Sequence, residues 1–306
     1  MAAVVVERVG WRAVIEDAGR PGFADLGLGA AGFADRGSAK LANRLVGNAA
    51  GEALVETLFG GLVLRSVGAV LVAVTGAPCP LALRSGDDTV GGRSGRTRHP
   101  AMYEVIQLAD GDRLELGSPA AGLRSYVAIH GGIAVEPVLG SRSYDSLADL
   151  GPAPLEPGRE LPVGEHAEGW PLVDAVAWPD WTMPAGAGAP RTVVLDAIRG
   201  PRDDWFEPSS LSRLDGGAFE VTNDVDRVGV RLSSGQPLER RHSRELPSEG
   251  VVLGAIQVPA DGHPIVFLAD HPVTGGYPVI AVLTAASVDR AAQLVPGQRV
   301  RIRLRR

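Results

Sequence analysis

Short runs rich in Val, Leu and Ile alternate along the chain with Gly, Pro and Asp: "AVLVAVTG" (69–76), "YEVIQLADGDRLELG" (103–117), "RSYVAIHGG" (124–132) and "GVVLGAIQVPADGHPIVFLAD" (250–270). Apolar runs of about four to eight residues between turn formers are strand-sized, so the pattern predicts a mainly β, mainly antiparallel fold. Asp110-Gly111 and Asp261-Gly262 sit between such runs, where residues that tolerate positive φ let two strands reverse as a hairpin. Near the C-terminus Val300, Ile302 and Leu304 alternate with Arg299, Arg301 and Arg303, which predicts a half-buried strand with a solvated outer face. Two segments carry helical spacing. Ser38 is placed to cap "AKLANRLVGN", with Leu41, Leu45 and Val46 on one face and Gly47-Asn48 ending it. Ser287 is placed to cap "VDRAAQLV", which stops before Pro296-Gly297.

Between Trp170 and Arg191 the periodicity fades into Pro, Gly and Ala, as in a connection between two β units. The predicted division is therefore an N-terminal unit over 1–185 and a C-terminal unit over 186–306. An internal echo accompanies it: "LADGDRLEL" (108–116) and "LVPGQRVRI" (294–302) share Leu, Gly, Arg and alternating apolar positions in the same order.

Composition narrows the function classes. The chain has 306 residues, 45% hydrophobic, and a net charge of -6 with acids and bases interspersed, so it offers no basic face for nucleic acid. No apolar run approaches the roughly 20 residues of a membrane span. The N-terminal stretch carries Glu7 and Glu16 and lacks the apolar core of a signal peptide, and Cys79 is the single cysteine. One cysteine excludes an internal disulfide framework, and a cytoplasmic location is the expectation. Cys79, between Pro78 and Pro80, reads as a small buried hydrophobe.

Familiar site patterns are missing. "RPGFADLGLGAAGFADRGS" is glycine-rich but has neither the strand-to-helix context of a dinucleotide fingerprint nor Gly-Lys-Ser/Thr. The six histidines include no pair at helical zinc spacing, and only His271, after Asp270 and before a glycine turn, stands where a side chain reaches a ligand. The stretch 254–281 poses the sharper question. Two strand-like runs are interrupted there by Asp270, His271, Thr274 and Gly-Gly-Tyr-Pro, residues that a buried sheet does not require.

Several long motifs in order, "EDAGRPGF", "ADRGSAKLANRLVGN", "RSYVAIHGGIAVEPVLGSRS", "RGPRDDWF", "DRVGVRL" and "SEGVVLGAIQVPADGHPIVFLADHPVTGGYPVIA", resemble the biotin-dependent carboxyltransferase family, which includes the C-type subunits of 5-oxoprolinase. Members are also called KipA or allophanate hydrolase subunit 2. The resemblance runs from about Ile15 to Gln298. It implies two cyclophilin-like β-barrel units and a heteromeric complex with a KipI-like B-type partner and a LamB/YcsF-like A-type partner. That complex opens 5-oxo-L-proline to L-glutamate and consumes ATP; which chain contacts ATP stays open. Two alternatives follow from the same resemblance. One is a carboxyltransferase half-site that receives carboxybiotin and acts on a urea-like substrate; the other is a KipA-like regulatory module that binds a KipI-like partner.

Opening a lactam requires donors for a developing oxyanion, a base for water and groups that hold carboxylate or phosphate. On the resemblance, Asp270 and Glu249 are the candidate bases. Thr274 with the Gly275 and Gly276 amides is a candidate anion nest, Tyr277 a donor or stacking platform, and Gln257 a polar orienter. Arg202 and Asp203 are expected to take a carboxylate and to position the arginine. Arg20, with Pro21 and Gly22, reads either as a turn or as a ligand-facing loop. The simpler reading of Gly275-Gly276 is a tight turn needing positive φ and capped by Asp270. Asp35 and Arg36 read equally as a surface ion pair. The chain departs from the family pattern at Glu16, Ala31, Val273 and Ser287, which bears on the substrate more than on the fold.

Overall fold

In the computed structural model the described residues are 2–85, 96–165, 167–177, 192–242 and 244–305. They divide into two compact units. The first comprises Met1–Gly19, Asp35–Tyr144 and Asp149–Pro184; the second comprises Arg20–Ala34, Asp145–Ala148 and Ala185–Arg306. The predicted boundary between 185 and 186 lies outside the described residues, as does His166. Two short segments, 20–34 and 145–148, are embedded in the sequence of the first unit yet belong to the second.

The first unit is built on two antiparallel sheets. One orders β11 (Glu160–Pro162), β1 (Ala3–Arg8), β4 (Val63–Val67), β9 (Arg113–Leu116), β6 (Leu81–Arg84) and β7 (Thr97–Arg98). The other orders β2 (Arg12–Glu16), β3 (Leu54–Leu58), β10 (Arg124–Ile129), β5 (Val70–Gly76) and β8 (Val105–Leu108). Inward side chains of both sheets, among them Val4, Leu64, Leu114, Val72, Ile106 and Val127, make one core. Burial of such side chains, at about 1.5–3 kcal/mol each, drives the two faces together. Asp110-Gly111 is not a hairpin turn. β8 pairs with β5 while β9 pairs with β4 and β6, so this turn carries the chain from one sheet to the other.

Helix α1 (Arg36–Leu45) begins earlier than its sequence suggests. Asp35, extended at φ -101°, is the cap and accepts the Ser38 N–H at 2.9 Å and the Ser38 hydroxyl at 2.7 Å. A carboxylate outcompetes a hydroxyl there because it meets the unpaired N–H groups with full negative charge. Asp35 is thus a buried cap rather than half of a surface ion pair.

The second unit contains a closed barrel of seven strands: β12 (Val193–Arg199), β19 (Val279–Leu283), β16 (Ala255–Gln257), β17 (Ile265–Phe267), β14 (Gly229–Ser233), β13 (Ala218–Val225) and β20 (Arg299–Leu304). Closure is made by the parallel pairing of β12 with β20, Val193 opposite Val300 through Ala197 opposite Leu304. β20 has the predicted alternation, with Val300 and Ile302 in the core and the arginines outside. Asp261-Gly262 turns between β16 and β17, which do pair, so this hairpin is as expected. Helix α2 (Pro208–Leu214), with Pro208 in its first turn, has no counterpart in the sequence pattern. Helix α3 (Ala285–Ala291) is capped by Thr284 rather than Ser287. The Ser287 hydroxyl instead accepts the Asp196 N–H at 2.8 Å and ties the helix to β12.

The sequence echo reappears as a shared turn. In the first unit Gly111 N–H donates to Ser66 O (3.0 Å), Ser66 N–H to Asp112 O (2.9 Å), and the Asp112 carboxylate accepts Ala109 N–H (2.9 Å). In the second, Gly297 N–H donates to Val221 O (2.8 Å), Val221 N–H to Gln298 O (3.0 Å), and the Gln298 side chain accepts Val295 N–H (3.2 Å). Both glycines have φ +78°, a region closed to most side chains. A mainly β chain of two related units is what the alternating pattern foretold.

Candidate functional site

The polar residues of 254–281 fall into two groups, both within the second unit. The first is centred on Asp270, which follows β17 and is 1% exposed. Arg227 Nε and Nη2 donate to its two oxygens at 2.9 and 3.0 Å. Ser146 adds its N–H at 3.0 Å and its hydroxyl at 2.6 Å. Arg227 Nη2 also donates to the Gly32 carbonyl at 2.5 Å. The pair therefore gathers three stretches distant in sequence: the loop around Gly32, the 145–148 segment and the barrel. These bonds occupy both oxygens of the carboxylate with an arginine and a serine, which suits an anchor and not the water-activating base expected from the sequence.

The second group lies around a two-stranded ladder, β15 (Glu249–Gly250) with β18 (Thr274–Gly275), in which Glu249 stands opposite Gly275. Arg202 grips Glu249 with two donors, Nε at 3.0 Å to one oxygen and Nη2 to the other. This hydrogen bonding, followed by the opposite charge, pulls the Glu249 carboxyl below its ordinary range, which weakens it as a base. Asp203 does not position Arg202; it meets Arg199 at 3.4 Å instead. Next to Glu249 across the ladder, a Cβ on Gly275 would lie 2.7 Å from Gln257 Nε2. Gln257, at 2% exposed, donates through Nε2 to the Tyr277 carbonyl at 2.9 Å. Neither Gly275 nor Gly276 has a positive φ. The stretch is therefore extended strand rather than a tight turn or a curved anion nest, and Gly275 serves close approach.

Arg202, Glu249, Thr274, Gly275, Gln257 and Tyr277 are thus linked in one connected patch, with Tyr277 47% exposed. Gly276 is exposed between Gly275 and Tyr277. Arg20 lies elsewhere in the unit, buried, with its N–H on the Ala30 carbonyl at 2.7 Å, closing the 20–30 loop. His271 turns its Nδ1 to the Pro272 carbonyl at 2.8 Å. One residue of the patch has no sequence signal. Arg240 places its guanidinium carbon 5.7 Å from the Tyr277 ring centre and donates through Nη2 to the Val258 carbonyl.

A profile described as "Carboxyltransferase domain, subdomain A and B" matches residues 26–304. This chain belongs to that carboxyltransferase-domain family. The C subunit of 5-oxoprolinase from Escherichia coli (strain K12) is 32% identical over 95% of this chain and 87% of its own length. The crystal structure of TTHA0988 superposes with a TM-score of 0.80 at 31% identity, covering 99% of this chain and 55% of that one. The Kluyveromyces lactis urea carboxylase gives a TM-score of 0.84 at 26% identity, covering 98% of this chain and 27% of that one. The chain thus spans about half, or a quarter, of the solved chains that it matches. Among the described residues no group of three or more His, Cys, Asp or Glu side chains is placed to hold a metal, and no helix is long and apolar enough to cross a membrane.

Proposed function

We propose that this chain is the C-type subunit of a 5-oxoprolinase complex that opens 5-oxo-L-proline to L-glutamate with consumption of ATP. The observation that carries this reading is the end-to-end match to a free-standing subunit of that name, 95% of this chain against 87% of the relative. Its partners would be a KipI-like B-type chain and a LamB/YcsF-like A-type chain. The Arg202–Tyr277 patch supports it as the substrate-facing surface, since it sets the Thr274 and Tyr277 hydroxyls beside an arginine–glutamate pair on an exposed ladder. In this reading the patch orients the lactam and polarises its carbonyl, and Asp270 fixes the loops of the unit. Phosphoryl transfer is assigned to the assembly, because β18 forms no phosphate nest and the chain has no Walker-type loop. Co-expression with the polypeptides encoded beside it tests the assembly: a stable complex containing this chain is expected, and an isolated, fully monomeric chain in the presence of those polypeptides would sink the proposal.

A second reading is favoured by the likeness to urea carboxylase, at TM-score 0.84. In it the chain forms part of a carboxyltransferase site that takes a carboxyl group from carboxybiotin supplied by another polypeptide. Bicarbonate-dependent carboxylation of urea by the purified assembly, without glutamate release from 5-oxoproline, would select it.

A further inference from the structure

The charged side chains around β15 and β18 are paired, with one exception. Arg202 holds Glu249, Arg213 lies 3.5 Å from Glu239, and Arg241 lies 3.9 Å from Glu207. Arg240 has no carboxylate within salt-bridge distance among the described residues. Asp261 is the acidic group whose field reaches it, and that carboxylate is held by Arg231 at 3.0 Å. Burial is the leading influence on Arg240 and pulls its guanidinium below its ordinary value. Among the described residues its Nε is buried without an acceptor, while Nη1 carries no hydrogen bond.

A cation that has lost part of its hydration and has no counter-ion is costly, and a fold keeps one where an anion completes it. The guanidinium is also held in place. Nη2 is fixed on the Val258 carbonyl; Gln257, one residue earlier, holds the Tyr277 carbonyl, and the Tyr277 ring lies beneath the guanidinium carbon at 5.7 Å. Such a planar donor, immobilised on an aromatic face, is matched to an oxyanion rather than to a neutral amide.

We propose that Arg240, backed by Tyr277, is an oxyanion-recognition residue of this patch, taking a carboxylate or a phosphate group of the ligand. This inference rests on the reading of the patch as a ligand-facing surface, and it identifies the ligand as anionic.

Calorimetric titration of the full-length chain tests it with three probes: 5-oxo-L-proline, its uncharged analogue 2-pyrrolidinone, and inorganic phosphate. Saturable binding of at least one of the two anions is expected, with none for 2-pyrrolidinone. Stronger binding of 5-oxoproline assigns the site to a carboxylate, and stronger binding of phosphate to a phosphoryl group. Arg240→Gln should weaken that binding at least tenfold. Arg240→Lys, which keeps the charge but loses the planar fork, should fall between the two. Tyr277→Phe, which keeps the ring, should stay within about threefold of the parent, whereas Tyr277→Leu should approach Arg240→Gln. Equal affinity in the parent and in Arg240→Gln, equal binding of 2-pyrrolidinone, or no saturable anion binding by the parent overturns the proposal. The readout is independent of turnover, so a complex without oxoprolinase activity would sink the functional reading while leaving anion recognition standing.

Discussion

Asp270 and Arg227, 43 positions apart, form a two-pronged ion pair at 2.9 and 3.0 Å with side chains 0% and 6% exposed. Through Ser146 and Gly32 the same pair binds two segments that lie far away in sequence to the barrel. A buried charge is tolerated only when its partner and hydrogen bonds are complete, so the four chain segments are held together or released together.

Asp270→Asn should therefore act first on stability. Removing one charge of a buried pair leaves the other uncompensated and costs about 3–5 kcal/mol. Thermal melting of the variant should fall by several degrees or more, and activity of the assembled protein should be recovered at temperatures where it remains folded. Unchanged melting with turnover reduced about a hundredfold would instead return Asp270 to the role of a base.

Gly275→Ala introduces a Cβ 2.7 Å from Gln257 Nε2, whose amide is already committed to the Tyr277 carbonyl. Overpacking of this kind costs about 1–3 kcal/mol. Melting should drop by that order and ligand binding should weaken through displaced Gln257 and Tyr277. Gly276→Ala is the control: its Cβ would lie 3.6 Å from the Leu246 carbonyl, ordinary contact distance, and its melting should stay near the parent.

The Glu249–Arg202 pair sets an acid limit. Because the folded carboxyl is shifted below its ordinary value of 4.5, its contribution is present above that pH and disappears only as pH falls through the lower, folded value. Ligand binding followed from pH 8 downward should stay flat until below about pH 4 and then decline. Glu249→Gln should remove that acid limb while weakening binding at all pH values, since Arg202 loses its fixed orientation. A limb centred near neutrality would contradict the pairing.

How much of this was legible beforehand can be judged residue by residue. Strand alternation is a local signal, and β20 obeyed it because its inward face fills a barrel. The Asp110-Gly111 turn misled because turn chemistry encodes a reversal of direction and not the identity of the strands that pair afterwards. Motif position found Arg202, Glu249, Gln257 and Tyr277, all in the same patch. It missed Arg227 and Ser146, whose partnership with Asp270 spans 43 and 124 positions and leaves no trace in spacing. Arg240 was hidden in a run of charges, "ERRHSRE", where only the neighbours in space separate the unpaired cation from the paired ones.

Cys79 should be inert in the folded chain. It is buried, and burial pushes its thiol from 9.0 up to about 11. A raised folded value means that both states keep the proton below pH 9, whereas between pH 9 and about 11 the unfolded chain loses it first. Stability should decline across that window, and Cys79→Ala should abolish the part of the decline that this thiol causes. A thiol reagent at pH 8 should label the protein only after denaturation. Rapid labelling of the native chain would contradict the packing around Cys79.

The central claim, that this chain is one component of a lactam-opening complex, is tested most directly by ATP-dependent release of L-glutamate from 5-oxo-L-proline. The assay is run with the purified assembly, with this chain alone, and with the assembly lacking this chain. Release by the complete assembly, and by neither of the other two, is the predicted result. Equal release without this chain, or no release from a complete and stable assembly supplied with ATP, would contradict it.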